Sequence, residues 1–91
     1  WTGKVIDLVE LVYAFNEVGC INDGEIKKQD LLNAVFRIFG MKPVDYFRKY
    51  VDIKGRCEYS SATFFLDDMS EKLKLRIKED RRKSREREQN R

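Results

Sequence analysis

Apolar residues recur along the chain at the three- and four-residue spacing of amphipathic α-helices, and this pattern predicts four helices. The first is predicted over residues 4–18 and ends at Gly19. Its stripe consists of Leu8, Leu11, Val12, Phe15 and Val18, broadened by Val5 and Val9. Asp7, Glu10 and Glu17 fall on the opposite side, so we expect them to be exposed. A face this wide indicates contact with more than one other helix.

The second and third helices are predicted over residues 27–39 and 43–54, joined by a sharp turn at residues 40–42. Gly40 suits the left-handed position after a helix, because glycine has no Cβ to clash there. Pro43 suits the first position of the next helix, because its φ angle is already near the helical value. Gly55 is expected to end that helix. The pair is a predicted helix–turn–helix, of the size that places its second helix in the major groove of DNA.

The third helix has an apolar face and a charged face. The side chains predicted to face the core are Val44, Phe47 and Val51, with Tyr50 beside them. Its outer arc carries Asp45, Arg48, Lys49 and Asp52, flanked by Tyr46 and Ile53. Two interpretations fit this arc. It is either a surface stabilised by the ion pairs Asp45–Lys49 and Arg48–Asp52, or a recognition surface whose cations reach bases and phosphates.

The last helix is predicted to begin at an N-cap supplied by Ser60 or Ser61 and to continue to about Ile77. Its apolar stripe is Ala62, Leu66, Met69, Leu73 and Ile77. Packed together, the helices are expected to form an all-α, four-helix compact domain with one mostly buried core. The residues expected in that core are Leu11, Phe15, Leu32, Val35, Phe39, Phe47, Val51, Leu66, Met69 and Leu73.

The formal net charge of +3 is concentrated at the C-terminal end. Residues 1–77 carry as many acidic as basic side chains, whereas residues 78–91 carry seven basic and four acidic ones. We therefore divide the chain into a helical helix–turn–helix domain, residues 1–77, and a charged helical extension or disordered tail, residues 78–91. The tail is interpreted as a solubilising terminus or, alternatively, as an arm that binds phosphates without sequence preference.

The chain lacks the residues that several classes of function require. The chain has no histidine, which excludes the common zinc sites and Cys–His or Ser–His nucleophiles, and it has no glycine-rich phosphate loop. We therefore expect no enzyme, no cofactor and no metal. Cys20 and Cys57 belong to no close-spaced motif and are expected to be reduced, buried thiols.

The sequence also suggests where the protein is found. It has no signal-peptide pattern and no apolar run of about 20 residues, so we expect a cytoplasmic protein without a membrane span. Because the chain begins at Trp1 rather than at Met and enters a patterned helix at once, we expect it to be one domain of a longer protein.

Five stretches, in this order and at similar spacing, resemble the C-terminal part of the RteC family. They are Trp1-Thr2-Gly3-Lys4, DLVELVYAF at residues 7–15, Ile21-Asn22-Asp23-Gly24, residues 36–53 with YFRKYVDI, and Thr63-Phe64-Phe65-Leu66-Asp67. The resemblance covers residues 1 to about 77. RteC-like proteins are regulators associated with bacterial conjugative transposons and tetracycline-resistance elements. The sequence departs from the family pattern at residues 57–62, where a basic residue before Thr-Phe would be more usual.

The resemblance implies a DNA-binding domain of a transcription regulator that controls mobilisation or excision of a conjugative transposon. It implies a winged-helix-like fold whose wing is minimal or absent, with residues 43–54 reading the major groove of double-stranded promoter DNA. The residues expected to contact DNA are Lys42, Tyr46, Arg48, Lys49 and Arg56. Other expected partners are a second copy and the rest of the parent protein. The alternative is an interaction or dimerisation module without DNA contact, which an uncovered apolar patch would favour.

Overall fold

Four α-helices make up most of the part of the chain that the computed structural model describes, residues 1–42, 45–58 and 61–89. The helices are α1, Val5–Val18; α2, Lys28–Ile38; α3, Tyr46–Lys54; and α4, Phe64–Gln89. Short 3-10 turns occupy Asn22–Gly24 and Gly55–Glu58. These residues contain no strand, which confirms the all-α class. Residues 59 and 60, next to the expected position of a wing, lie outside the described part.

Helix α1 is the central element, because α2, α3 and α4 all pack against it. The core consists of Leu8, Val9, Val12 and Tyr13 from α1, Leu31, Leu32 and Phe36 from α2, and Ile53 from α3. The expectation that the first helix contacts more than one other helix is therefore confirmed. Burial of these apolar side chains is the main source of stability that the fold offers.

Two glycines end α1 and α2 as the sequence predicts. Gly19 has φ +74°, and its N–H donates to the carbonyl of Phe15 at 3.1 Å. Gly40 has φ +64°, and its N–H donates to the carbonyl of Arg37 while that of Met41 donates to Phe36 at 2.8 Å. These two bonds are the pattern of a Schellman motif, in which only a left-handed residue lets the chain turn back onto the last helical carbonyls.

The predicted core is largely wrong. Of its ten members only Leu32 is fully buried, and Leu11, Val35 and Leu66 are partly buried. The exposed members are Phe15, Phe39, Phe47, Val51, Met69 and Leu73. The physical reason is that α3 turns a different face toward α1 than its apolar pattern suggested, and that most of α4 lies away from the other helices. Cys20 is a free thiol as expected, but it is exposed rather than buried.

The carboxylate of Glu10 was expected at the surface, yet Glu10 is only 4% exposed. One of its oxygens, Oε1, accepts a hydrogen bond from Nη1 of Arg56 at 2.6 Å. The other, Oε2, accepts one from the backbone N–H of Leu66 at 2.7 Å. Asp7 adds a second carboxylate, 3.8 Å from Nη2 of Arg56. A buried carboxylate is costly unless it is paired in this way, so the prediction failed because its partners come from distant parts of the chain.

Glu10 also explains where α4 begins. The carbonyl of Thr63 accepts the first helical bond, from the N–H of Asp67 at 2.8 Å, so Thr63 holds the N-cap position. The predicted cap was Ser60, outside the described residues, or Ser61, whose Oγ instead accepts from the N–H of Thr63. Leu66 is the third helical residue, and its N–H has no partner within the helix. Glu10, on α1, supplies the missing acceptor. Its negative charge also interacts favourably with the positive, N-terminal end of the α4 helix dipole.

Helix α4 makes the molecule elongated. It has 26 residues and is therefore about 39 Å long. The radius of gyration is 17.3 Å, compared with about 12 Å for a compact domain of this length. The long dimension reaches 55 Å. The structure thus differs from the compact packing expected from the sequence, because only the start of α4 lies against the body formed by α1, α2 and α3.

The difference between the predicted and observed cores can be tested with two phenylalanines. Phe36 is 2% exposed, whereas Phe47 is 61% exposed. We expect Phe36→Ala to lower the free energy of unfolding by about 3–5 kcal/mol, because it leaves a cavity in the core. Phe47→Ala should cost less than about 1 kcal/mol. Urea unfolding of both variants measures this, and equal losses would contradict the observed orientation of α3.

The buried carboxylate can be tested against a surface one on the same helix. Glu10→Ala should lower the free energy of unfolding by about 3–5 kcal/mol, because it leaves Arg56 and the N–H of Leu66 without their shared acceptor. The matched control is Glu17→Ala, since Glu17 only pairs with Lys28 at 3.9 Å on the surface. That change should cost about 0.5 kcal/mol or less. In addition, the amide of Leu66 should exchange faster with deuterium in Glu10→Ala alone.

Candidate nucleic-acid interface

Helix α3 is held on α1 by one face made of Tyr46, Tyr50 and Ile53. The ring of Tyr50 stacks on that of Tyr13, with centroids 4.2 Å apart and an angle of 9° between the planes. Burial raises the pKa of the Tyr13 hydroxyl above its usual value, and the neighbouring Tyr46 and Tyr50 raise it further. An aromatic contact of this kind fixes the rotation of α3 about its own axis, and so determines which residues point outward.

The outward face of α3 carries Phe47, Arg48, Val51 and Asp52, all of which are exposed. Because successive helical residues are about 100° apart, Arg48 lies near the middle of this face, opposite Tyr46. The prediction that Phe47 and Val51 face the core is therefore wrong. Helix α3 has two apolar stripes with helical spacing, and the larger one, Tyr46, Tyr50 and Ile53, is the one that is buried.

The start of α3 also differs from the prediction. Oδ1 of Asp45 accepts a hydrogen bond from the backbone N–H of Arg48 at 3.2 Å, which is the geometry of an N-cap. The helix therefore begins at Tyr46, and the predicted start at Pro43 lies outside the described residues. Because α2 ends at Ile38 and α3 begins at Tyr46, the described residues do not confirm the sharp turn of a helix–turn–helix.

The structure brings only some of the expected DNA contacts to one surface. Lys42 is exposed in the link before α3, and Arg48 is exposed on its outward face. Lys49 is half-buried and lies nearer to the inward face. Tyr46 packs against the core. The predicted pairs Asp45–Lys49 and Arg48–Asp52 are absent from the ion pairs found in residues 1–42, 45–58 and 61–89.

Arg56 follows α3 and is turned toward α1. Its side chain is 18% exposed and contacts Glu10 and Asp7. In this position it holds the end of α3 close to the start of α4, through the carboxylate that both share. A guanidinium bound by two carboxylates has much of its charge neutralised locally, which weakens its attraction for phosphates.

The sequence reasoning did not identify Phe47 and Val51 as surface residues of the candidate interface. No signal in the sequence separates the two stripes of α3, because both have the same period. The Nζ of Lys54, at the end of α3, lies over the ring of Tyr50, 5.1 Å from the centroid. Lys28 likewise lies over Tyr13 at 4.6 Å. These cation–π contacts stabilise the tyrosine pair.

A second uncovered surface lies on α4. The stripe predicted from the spacing is present, but Met69, Leu73 and Ile77 are all exposed, with Leu73 at 61%. Leu66, the first member within the helix, is partly buried next to Glu10. The spacing therefore found the stripe correctly, but it could not show whether other residues of the chain cover it.

The part of the chain that the structure describes holds no group of three or more Cys, Asp or Glu side chains placed to bind a metal ion. Within the same residues, no helix has both the length and the apolar character that crossing a membrane requires.

Comparison with known proteins supports one family. The sequence model of the RteC protein family matches residues 1–81. No curated protein and no protein of solved structure shows significant similarity to the chain. The matched region includes α1, α2, α3 and the first two thirds of α4, and so contains both uncovered surfaces.

Proposed function

Because the chain belongs to the RteC protein family, we propose that it is the DNA-binding part of a regulator associated with conjugative transposons. In this proposal α3 enters the major groove of double-stranded operator DNA with its outward face. The function is recognition rather than catalysis. The regulator acts by binding DNA that controls mobilisation or excision of the transposon.

The observation that carries this proposal is the exposure of Arg48 at the middle of a rigidly held helix face. No side-chain ion pair in the described residues holds its guanidinium, so the group is available to donate two hydrogen bonds to a guanine edge. Phe47 and Val51 flank it and can contact the methyl group of thymine. Asp52 can accept from cytosine. A surface with one cation, apolar groups and one carboxylate is better suited to contact base edges than to contact only phosphates.

The remaining site residues have supporting roles in the proposal. Lys42, in the link before α3, and Lys49, half-buried between the two faces of α3, contact phosphates and fix the register of the helix on the duplex. Tyr46 and Arg56 have structural roles, because Tyr46 orients α3 on α1 and Arg56 anchors the end of α3 to Glu10. Loss of either is expected to change folding before it changes base preference.

The recognition helix is tested by the double variant Arg48→Ala, Lys49→Ala. We expect its affinity for DNA upstream of the transposon's excision genes to fall by about 1–3 kcal/mol or more, because a base-edge contact and a phosphate contact are lost. A gel-shift titration measures this. The matched control is Lys72→Ala, Arg76→Ala, which removes the same charges from α4, where Lys72 pairs with Asp68 and Arg76 with Asp80.

Two outcomes are decisive for this test. If the α3 variant is folded, as judged by circular dichroism, and binds the upstream DNA as tightly as the parent chain, α3 is not the recognition helix. If both variants weaken binding equally, net charge rather than the outward face of α3 determines affinity.

A second function, self-association through α4, is favoured by the uncovered stripe of Met69, Leu73 and Ile77. Exposed apolar residues at helical spacing are the feature by which two helices pair. The function is compatible with DNA binding, since many regulators bind two half-sites as dimers.

Self-association is tested by Leu73→Glu, which places a charge in the stripe without lowering helix propensity. We expect the parent chain to sediment as a dimer and Leu73→Glu as a monomer. Leu75→Glu is the matched control, because Leu75 is 55% exposed on the opposite side of α4. It should sediment like the parent. A parent chain that stays monomeric at the highest soluble concentration would contradict this second function.

A further inference from the structure

Four cations form a regular stripe along one side of α4. Lys74, Lys78, Arg81 and Arg85 follow one another at spacings of four, three and four residues, so they lie within a narrow arc of the helix. All four are exposed. They border one shallow, open hollow beside the helix, whose margin also includes Leu75, Ile77, Glu79 and Arg82. The stripe extends for about 16 Å along the helix axis.

Ion pairing distinguishes these cations from Lys72, Arg76 and Arg82 of the same helix. Lys72 pairs with Asp68, and Arg76 pairs with Asp80. Arg82 contacts Glu79 and Glu86 at once, and its hydrogen bond lowers the pKa of Glu79 below its usual value. In contrast, the four cations of the stripe take part in none of the ion pairs found among the described residues.

Within residues 74–85 the acidic residues are segregated from the stripe. Between residues 74 and 85 the only acidic residues are Glu79 and Asp80. At about 100° per residue, both leave the helix about 130° from the centre of the arc of the four cations, and only the Glu79 side chain reaches the margin of the hollow. A helix with alternating charges usually neutralises itself on all sides, whereas residues 74–85 of α4 leave the side of the four cations uncompensated.

We infer that this side of α4 is a second DNA-contacting surface, which binds the phosphate backbone of a duplex without reading its sequence. One DNA strand presents a phosphate about every 3.4 Å of axis, so a length of about 16 Å spans about five phosphates, of which those on the near side of the duplex face the helix. Four cations on a rigid helix match such a linear polyanion. The inference rests on the proposed function, but it concerns a surface separate from α3.

Other polyanions fit the stripe less well. A helix that lies on a membrane needs apolar residues along the whole basic segment, but the apolar stripe of α4 ends at Ile77, before Arg81 and Arg85. Single-stranded nucleic acid is held by aromatic rings on which bases stack, and α4 has no aromatic residue after Phe65. Duplex phosphates require only the spaced cations that are present.

The test compares two triple variants with the same composition. The stripe variant is Lys78→Gln, Arg81→Gln, Arg85→Gln, and the control variant is Lys72→Gln, Arg76→Gln, Arg82→Gln. Each loses one lysine and two arginines from exposed positions of the same helix. Binding to a random-sequence duplex is followed by fluorescence anisotropy between about 50 and 200 mM salt, the range in which phosphate contacts weaken steeply.

We expect the stripe variant to bind the random duplex at least about tenfold more weakly, and its salt slope to fall by about 2–3, since each phosphate contact contributes about 0.9. The control variant should show a much smaller loss of affinity and a much smaller change in salt slope. A stripe variant that keeps the parent's affinity and slope would overturn the inference, as would equal losses in both variants. Binding of the parent chain to phosphatidylserine vesicles but not to duplex DNA would also overturn it.

The outcomes also separate this inference from the proposed function. If Arg48→Ala, Lys49→Ala weakens specific binding while the stripe variant behaves like the parent on random DNA, only the inference fails. If the stripe variant loses affinity while the α3 variant keeps its preference for the upstream DNA, only the role of α3 fails. A parent chain that binds neither duplex at low salt overturns both.

Discussion

The arrangement of this protein depends on one buried carboxylate. Glu10 of α1 accepts from the guanidinium of Arg56 with one oxygen and from the backbone N–H of Leu66 with the other. Burying a charge costs several kcal/mol unless each of its acceptor sites is used, so these two bonds depend on one another. Glu10 thereby joins three segments that are far apart in sequence: the middle of α1, the turn after α3 and the first turn of α4.

This connection positions both candidate surfaces relative to α1. Arg56 follows α3 directly, so its bond to Glu10 holds the end of that helix, while the stacked pair Tyr13 and Tyr50 fixes the rotation of its middle. The same carboxylate determines where α4 starts and therefore where its exposed length begins. Trp1 adds an apolar contact at this point, since its ring meets those of Phe39 and Phe65 at 5.5 and 5.9 Å.

The sequence predicts where helices lie better than which face each one buries. Gly19 and Gly40 end their helices as predicted, because a left-handed glycine is a local requirement that the sequence shows directly. The face of α3 was mispredicted because two apolar stripes share one period, and only packing on Tyr13 selects Tyr50 over Val51. Glu10 was misplaced because its partners are 46 and 56 residues away. In the candidate site, the exposure of Arg48 followed from local pattern, whereas the orientation of Arg56 toward α1 did not.

The two proposed roles of α4 do not compete for the same side chains. On a helical wheel the apolar stripe centred on Leu73 and the basic stripe centred on Lys78 and Arg81 are separated by about 100°. Two antiparallel copies paired through Leu73 would therefore leave both basic stripes exposed on the same side of the pair. Such a pair would bring two basic stripes onto one duplex. Once the first stripe is bound, the entropic cost of binding the second stripe to the same duplex is smaller. Self-association through the apolar stripe would thus strengthen DNA binding through the basic one without any new contact to DNA.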